Sequence, residues 1–80
     1  MTAKDVKILV VDDSQTVRRL SELILTQAGY SVYTAEDGQR GLEVARQVHP
    51  AAILVDYVMP KMNGHAFCKT LRSDNLMKDI

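Results

Sequence analysis

The sequence predicts an α/β domain in which helices cover both faces of a parallel β-sheet. Short apolar runs alternate three times with helical patterns along the 80 residues, and the connections between them are short. This alternation is typical of a parallel sheet with crossover helices, each of which is expected to be right-handed. The runs at residues 8–11 and 51–55 are entirely apolar, as expected for strands that are buried on both faces.

The first strand is predicted over residues 6–11, which are rich in β-branched side chains and bounded by charge. Ser14 is a favourable N-cap for the helix that follows. Gly29 is placed to end that helix, because glycine accepts the backbone conformation of a helix C-terminus. The apolar residues of the helix recur at helical spacing and are Val17, Leu20, Ile24 and Ala28.

A second strand and helix follow directly. Residues 30–35 are β-branched and aromatic, which predicts a strand. Asp37 and Gly38 are expected to form a turn. The weaker helical pattern after this turn is expected to end at Pro50.

The last third of the chain predicts a strand, a loop and a short helix. Residues 51–55 form the third apolar strand, and residues 57–64 indicate a loop because they contain a proline and an Asn-Gly pair. A third helix is predicted over residues 65–72. Ile80 is in a position to open a fourth strand.

Composition excludes several classes of function. Ten basic and ten acidic residues cancel and form no basic stripe, so this segment is not expected to bind nucleic acid. The apolar runs are far shorter than the ~20 residues that a membrane-spanning helix needs. Cys68 is the single cysteine, so no internal disulfide can form, which favours a cytoplasmic location. Eighty residues hold one domain at most.

Three acidic residues follow predicted strands directly. Asp12 and Asp13 come after the first strand and Asp56 comes after the third. If these strands are neighbours, the three carboxylates meet in one crevice, and a hard cation such as Mg²⁺ relieves their repulsion. An aspartate can also act as a nucleophile and carry a phosphoryl group. A lone acidic residue at such a place more often ends a strand or caps a helix, but the three together favour a functional site.

At these residues the chain resembles the receiver domains of two-component signalling, a family that includes the single-domain chemotaxis response regulators. Residues 8–14 and 54–64 carry the resemblance most strongly, and the second stretch contains the pattern Asp-x-x-Met-Pro-x-Met-x-Gly. The resemblance implies a flavodoxin-like, doubly wound parallel sheet. This chain would contain its first β-α-β-α-β-α units, with the strands in the order 2-1-3.

The resemblance also implies a role for each residue of the site. Asp56 would be the phosphoacceptor. Asp13 would bind Mg²⁺ directly, Asp12 largely through water, and the backbone carbonyl of Val58 would be a further ligand. The phosphoryl donor would be a phosphohistidine on a histidine kinase or a phosphotransfer domain, so the chain would be a phosphoacceptor module rather than an enzyme.

The family pattern continues with residues that this chain does not contain. A Ser or Thr follows the fourth strand in the family, and a Lys follows the fifth. Residues 1–80 are therefore expected to be the N-terminal portion of a single receiver domain, without the fourth and fifth strands and helices. Such a chain is expected to accept phosphate poorly, because positive charge that stabilises the transferring group is missing.

Two classes of enzyme fit the sequence less well. An aspartyl-phosphate phosphatase would need an Asp-x-Asp at the nucleophile, but Tyr57 and Val58 follow Asp56. A nucleotide enzyme is disfavoured because neither glycine-rich phosphate-binding pattern is present. The remaining alternative is a self-associating structural or interaction fragment without phosphotransfer.

Self-association is expected from the surfaces that the missing elements would cover. The third-strand edge, residues 51–55, carries no charge or proline to discourage pairing. Part of the first helix, at Val17, Leu20 and Ile24, would also be uncovered. A homodimer with antiparallel third strands and a continuous six-stranded sheet is predicted, with exchange of elements between chains as the rival arrangement.

Other side chains are not expected to take part in the chemistry. Cys68 is expected to be a structural or half-exposed thiol. His49 and His65 lack a second metal-binding residue at suitable spacing. Arg18 and Arg19 are expected to mark a solvated helix face.

Overall fold

The computed structural model describes residues 5–55 and 64–73, with side chains for residues 5–55 and 68–73. Within these residues, strands and helices alternate in the predicted order. Their bounds are β1 Lys7–Val11, α1 Gln15–Gln27, β2 Ser31–Ala35, α2 Gly38–Val48, β3 Ala52–Val55 and α3 Gly64–Ser73.

The strands form one parallel sheet in the order β2-β1-β3, which confirms the predicted fold class and strand order. Val11, the last residue of β1, lies opposite Ala35 of β2 and Val55 of β3. The three strands therefore end level with one another. Residues that follow them in the chain leave the sheet at the same edge.

The main core lies on the face of the sheet where α2 and α3 pack. Leu9 and Val11 of β1 are fully buried there, and α2 contributes three of the other buried residues of this cluster. The buried members of this cluster are Leu9, Val11, Ala35, Leu42, Val44, Ala45 and Leu71. Ile8 and Val10 alternate with Leu9 and Val11 along β1 and are buried as well, so the central strand is covered on both faces as its apolar sequence predicts.

Helix α1 has a capped start and a capped end. Ser14 is its N-cap, and the Ser14 hydroxyl accepts a hydrogen bond from the backbone N–H of Val17 at 3.3 Å. After the last helical residue, the N–H of Gly29 donates to the carbonyl of Thr26 at 2.9 Å and the N–H of Tyr30 donates to that of Leu25 at 3.1 Å. This pair of bonds is a Schellman motif, and it requires the left-handed conformation that Gly29 adopts with φ of 100°.

Replacing Gly29 with alanine is expected to lower the free energy of unfolding by about 1–2 kcal/mol, because a Cβ is strained at positive φ. Urea unfolding followed by far-UV circular dichroism measures the change. The control is Gly29→Asn, whose free energy of unfolding should fall less because asparagine tolerates positive φ better than alanine does. Equal midpoints for the alanine variant and the parent would contradict this account of the helix end.

Helix α2 begins differently from the expectation. Asp37 and Gly38 do not form a separate turn: Asp37 is the N-cap of α2, and Gly38 is its first residue. The Asp37 carboxylate is buried and its Oδ1 accepts a hydrogen bond from the backbone N–H of Arg40 at 2.8 Å. The carboxylate thereby satisfies one of the free N–H groups at the helix start, which stabilises the helix and explains why Asp37 caps it. The helix ends at Val48, with His49 in the left-handed conformation before Pro50.

Other boundaries differ by one residue from the prediction. Strands β1, β2 and β3 each begin one residue later, and α3 extends over Gly64–Ser73. Gly64 thus opens the third helix rather than closing the loop before it. The rest of that loop and the fourth strand expected at Ile80 lie outside the described residues. In the described part of the chain, no helix has the length and apolar character needed to cross a membrane.

Candidate functional site

The candidate site lies at the edge where the strands end. Asp12 and Asp13 directly follow β1, and Asp56 follows β3 in the sequence. Because Val11 and Val55 are register partners, and neighbouring strands lie about 4.8 Å apart, the chain leaves β1 and β3 side by side. Asp56 and Val58 lie outside the described residues, so their convergence with the acidic pair stays a prediction.

Three hydrogen bonds hold Asp12. Its backbone N–H donates to the carbonyl of Ala35 at 3.1 Å, which continues the ladder between β1 and β2 beyond the last strand residue. Its Oδ1 accepts from the N–H of Ser14 at 2.9 Å. Its backbone carbonyl accepts from Nη1 of Arg18 at 2.6 Å. Asp12 is half-buried, and these bonds fix both its main chain and one carboxylate oxygen.

Asp13 has a different environment, because it is exposed. The two neighbouring residues therefore divide into a fixed, half-buried carboxylate and an accessible one. Carboxylate oxygens at an open edge fit Mg²⁺, which takes oxygen ligands, binds few carboxylates and keeps several waters. Among the described residues, no three acidic, His or Cys side chains are close enough to hold a metal, and the predicted third carboxylate, Asp56, is not one of those residues.

Sequence reasoning missed the contribution of Arg18. It was expected on a solvated helix face with Arg19, but Arg18 is half-buried and its guanidinium reaches back to the Asp12 carbonyl. Arg19 is exposed, as expected. The spacing from Asp12 to Arg18 spans the strand end, the cap and the first helical turn, so no local periodicity relates the two residues. The side chain of Cys68 is exposed, and that of His65 is outside the described part.

The first helix leaves an apolar face uncovered. No residue of α1 is buried, and Leu20 and Ile24 are 54% and 63% exposed. On the neighbouring strand β3, Leu54 is 51% exposed. A shallow groove runs between α1 and β3, with Val17 and Leu54 on its walls.

A family model for the response regulator receiver domain matches residues 8–80. The chain is 44% identical over 69 residues to the probable transcriptional regulator ycf27 of Pyropia yezoensis, a match that covers 86% of this chain and 28% of that protein. It therefore spans less than a third of this curated relative.

Solved structures agree with the family model. The chemotaxis protein CheY4 of Vibrio cholerae superimposes with a TM-score of 0.87 at 38% identity, covering 91% of this chain and 61% of that one. The response regulator TrrA of Thermotoga maritima, solved in complex with Mg²⁺ and BeF, gives a TM-score of 0.83 at 30% identity, covering 88% of this chain and 61% of that one. The chain therefore belongs to the response regulator receiver domain family of two-component systems.

Proposed function

We propose that this chain is a phosphoacceptor module in which Asp56 receives a phosphoryl group beside Mg²⁺. The observation that carries the proposal is the register of β1 and β3. Val11 and Val55 are partners in adjacent parallel strands, so the acidic residues that follow each strand start from the same edge of the sheet. Carboxylates on adjacent strand ends are suited to sharing one cation.

The metal would be held by Asp12, Asp13, Asp56 and the backbone carbonyl of Val58. The exposed Asp13 is suited to direct coordination, and the half-buried Asp12, with Oδ1 already engaged by Ser14, is suited to contact through water. When bound, Mg²⁺ supplies positive charge beside the oxygens of the transferring phosphoryl group. The Mg²⁺ complex of TrrA supports this choice of cation.

In the proposed reaction, an oxygen of the Asp56 carboxylate forms a bond to phosphorus as the bond from phosphorus to a histidine nitrogen breaks. The electron pair of that bond stays on the imidazole, which takes up a proton and leaves as neutral histidine. The product is an aspartyl phosphate. The donor is a histidine kinase or phosphotransfer domain in the cytoplasm, and the chain acts as a substrate of phosphotransfer rather than as an enzyme on a separate substrate.

The 80 residues are further proposed to be the N-terminal portion of one receiver domain, which the 61% coverage of CheY4 supports. Phosphorylation of this chain is therefore expected to be slow compared with that of a five-stranded receiver, because losing even one preorganised donor to a developing charge costs about 2.7–4 kcal/mol in oxyanion holes.

Incubation with acetyl phosphate and Mg²⁺ followed by intact-mass measurement tests the proposal. We expect a slow mass gain of one phosphoryl group, lost on hydroxylamine treatment, which cleaves acyl phosphates. The control is the same incubation with excess chelator, which should stop the labelling. No labelling with Mg²⁺ after long incubation, in a chain shown to be folded, would overturn phosphoacceptance by the 80 residues.

We also propose that two copies pair through β3. In the described residues β3 has a strand neighbour on one side, β1, and its sequence carries no charge. Edges of this kind recruit other strands, and a second copy offers the same edge with no net charge to repel it. Antiparallel pairing about a two-fold axis would join the two sheets into one of six strands.

The exposed face of α1 favours a second candidate function, a self-associating interaction module without phosphotransfer. Apolar surface at Leu20, Ile24 and Leu54 is typical of an association site when it is contiguous. The two candidates differ in the acetyl phosphate experiment. A dimer that is never labelled would favour the interaction module, and labelling that depends on Mg²⁺ would favour the phosphoacceptor.

A further inference from the structure

Arg18 lies one turn beyond the N-cap of α1 and reaches back over the loop that carries the acidic pair. Its Nη1 donates to the Asp12 carbonyl at 2.6 Å, which is shorter than most bonds from a nitrogen donor. A charged donor favours a short bond. The backbone of Arg18 is itself anchored, because its N–H donates to the carbonyl of Ser14 at 3.0 Å. The guanidinium is thus attached to a rigid helical turn.

The contact acts on the peptide unit between the two aspartates. The carbonyl oxygen of Asp12 and the nitrogen of Asp13 belong to one planar group, so a bond that fixes the oxygen also fixes the direction in which the chain enters Asp13. The Asp12 N–H is held from the other side by Ala35 at 3.1 Å. Oδ1 is held by Ser14 at 2.9 Å, so among the described residues Oδ2 of Asp12 remains for an ion or its water.

We infer that Arg18 is a positioning residue for the Mg²⁺ site, holding the Asp12–Asp13 peptide in the orientation that metal binding needs. The inference rests on the proposed function, since it assumes that this acidic pair binds Mg²⁺. Groups that hold metal ligands in place are commonly required for affinity even though they do not touch the ion. The hydrogen bond to a main-chain carbonyl gives Arg18 this role without placing it among the ligands.

Two physical effects of Arg18 have opposite signs, which makes the inference testable. Its positive charge near the acidic pair disfavours a cation, so removing the charge alone would strengthen Mg²⁺ binding. Its hydrogen bond orders the loop, so removing that bond would weaken Mg²⁺ binding. Positioning outweighs the charge, because charge near solvent is screened and the carbonyl bond is short and half-buried.

The test is a Mg²⁺ titration of the 80-residue chain and its Arg18→Met variant, followed by amide NMR shifts of Asp13 and Ser14. Methionine keeps an apolar stem of similar length but removes both the charge and the donors. We expect the Mg²⁺ dissociation constant to rise roughly tenfold or more, with the metal-free shift of the Asp13 amide displaced. The matched control is Arg19→Met, which removes the same charge from the exposed neighbour and should leave the dissociation constant within about twofold of the parent.

The outcomes distinguish failure of the positioning role of Arg18 from failure of the proposed function. Parent-like or tighter Mg²⁺ binding by Arg18→Met overturns the positioning role but leaves the proposed function intact. A parent chain that binds no Mg²⁺ overturns both. If Arg18→Met does not fold, Arg18→Lys decides, since lysine keeps the charge on a shorter side chain with a different donor geometry: weaker binding than the parent supports positioning, and unchanged binding overturns it.

Discussion

Labelling by acetyl phosphate is expected to fall below detection when Asp56 is replaced with asparagine. The amide nitrogen and oxygen of asparagine are neutral and poorly nucleophilic, so no acyl phosphate can form at that position. The substitution also removes a carboxylate from the proposed Mg²⁺ site, which lowers the affinity for the cation. Intact mass after incubation with Mg²⁺ and acetyl phosphate measures the loss.

A second aspartate provides the control for Asp56→Asn. Asp5 precedes β1 and is exposed, so it lies near the end of the sheet opposite the candidate site. Asp5→Asn makes the same chemical change and should leave the labelling rate within about twofold of the parent, since no charge is altered near the reacting group. Labelling of Asp56→Asn at the rate of the parent would place the acceptor elsewhere and overturn the assignment.

The other large effect is expected on self-association. Leu54→Lys is expected to weaken the dimer by roughly a hundredfold or more, because charge on an edge strand discourages pairing and like charges facing each other across an interface cost several kcal/mol. Leu54 is half-exposed in the isolated chain, so the substitution removes little buried apolar surface from the core. Sedimentation velocity over a range of concentrations measures the change in association.

A lysine introduced on the opposite edge strand, β2, separates edge pairing from a general effect of charge. Tyr33 of β2 is also partly exposed, at 37%, and Tyr33→Lys adds the same charge there. We expect Tyr33→Lys to sediment as the parent does if the β3 edge forms the interface. A parent that is a folded monomer at micromolar concentration, with native amide protection in β3, would overturn the dimer altogether.

The exposed face of α1 bears on the extent of the dimer interface. Val17, Leu20 and Ile24 were expected to be uncovered, and all three are exposed. Their helical spacing predicts a buried stripe, yet α1 makes its contacts with β1 and β2 and leaves this face open. Burial of the same residues in the dimer, followed by amide or side-chain NMR, would indicate that the interface extends from the β3 edge onto α1.

Much of the fold could be predicted because its signals are local. The cap at Ser14 and the end of α1 at Gly29 depend on residues within one helical turn, where hydrogen bonding to the nearest free backbone groups decides the conformation. The cap at Asp37 was also within reach of the sequence, since aspartate is a favoured N-cap. The glycine that follows Asp37 is also common in turns, so the local pattern predicts a turn as readily as a cap.

The sequence by itself determined the α/β class, the succession of elements and the presence of Asp12, Asp13 and Asp56 directly after apolar strands. These features depend on hydrophobic periodicity and on covalent neighbours. The central place of β1 was implied by the family resemblance and is confirmed. Only the tertiary structure decided the register that sets Val11 opposite Val55, because the pairing of distant strands has no local signal. It also decided the role of Arg18, whose guanidinium meets the Asp12 carbonyl only after β1 and α1 have packed and the loop between them has closed.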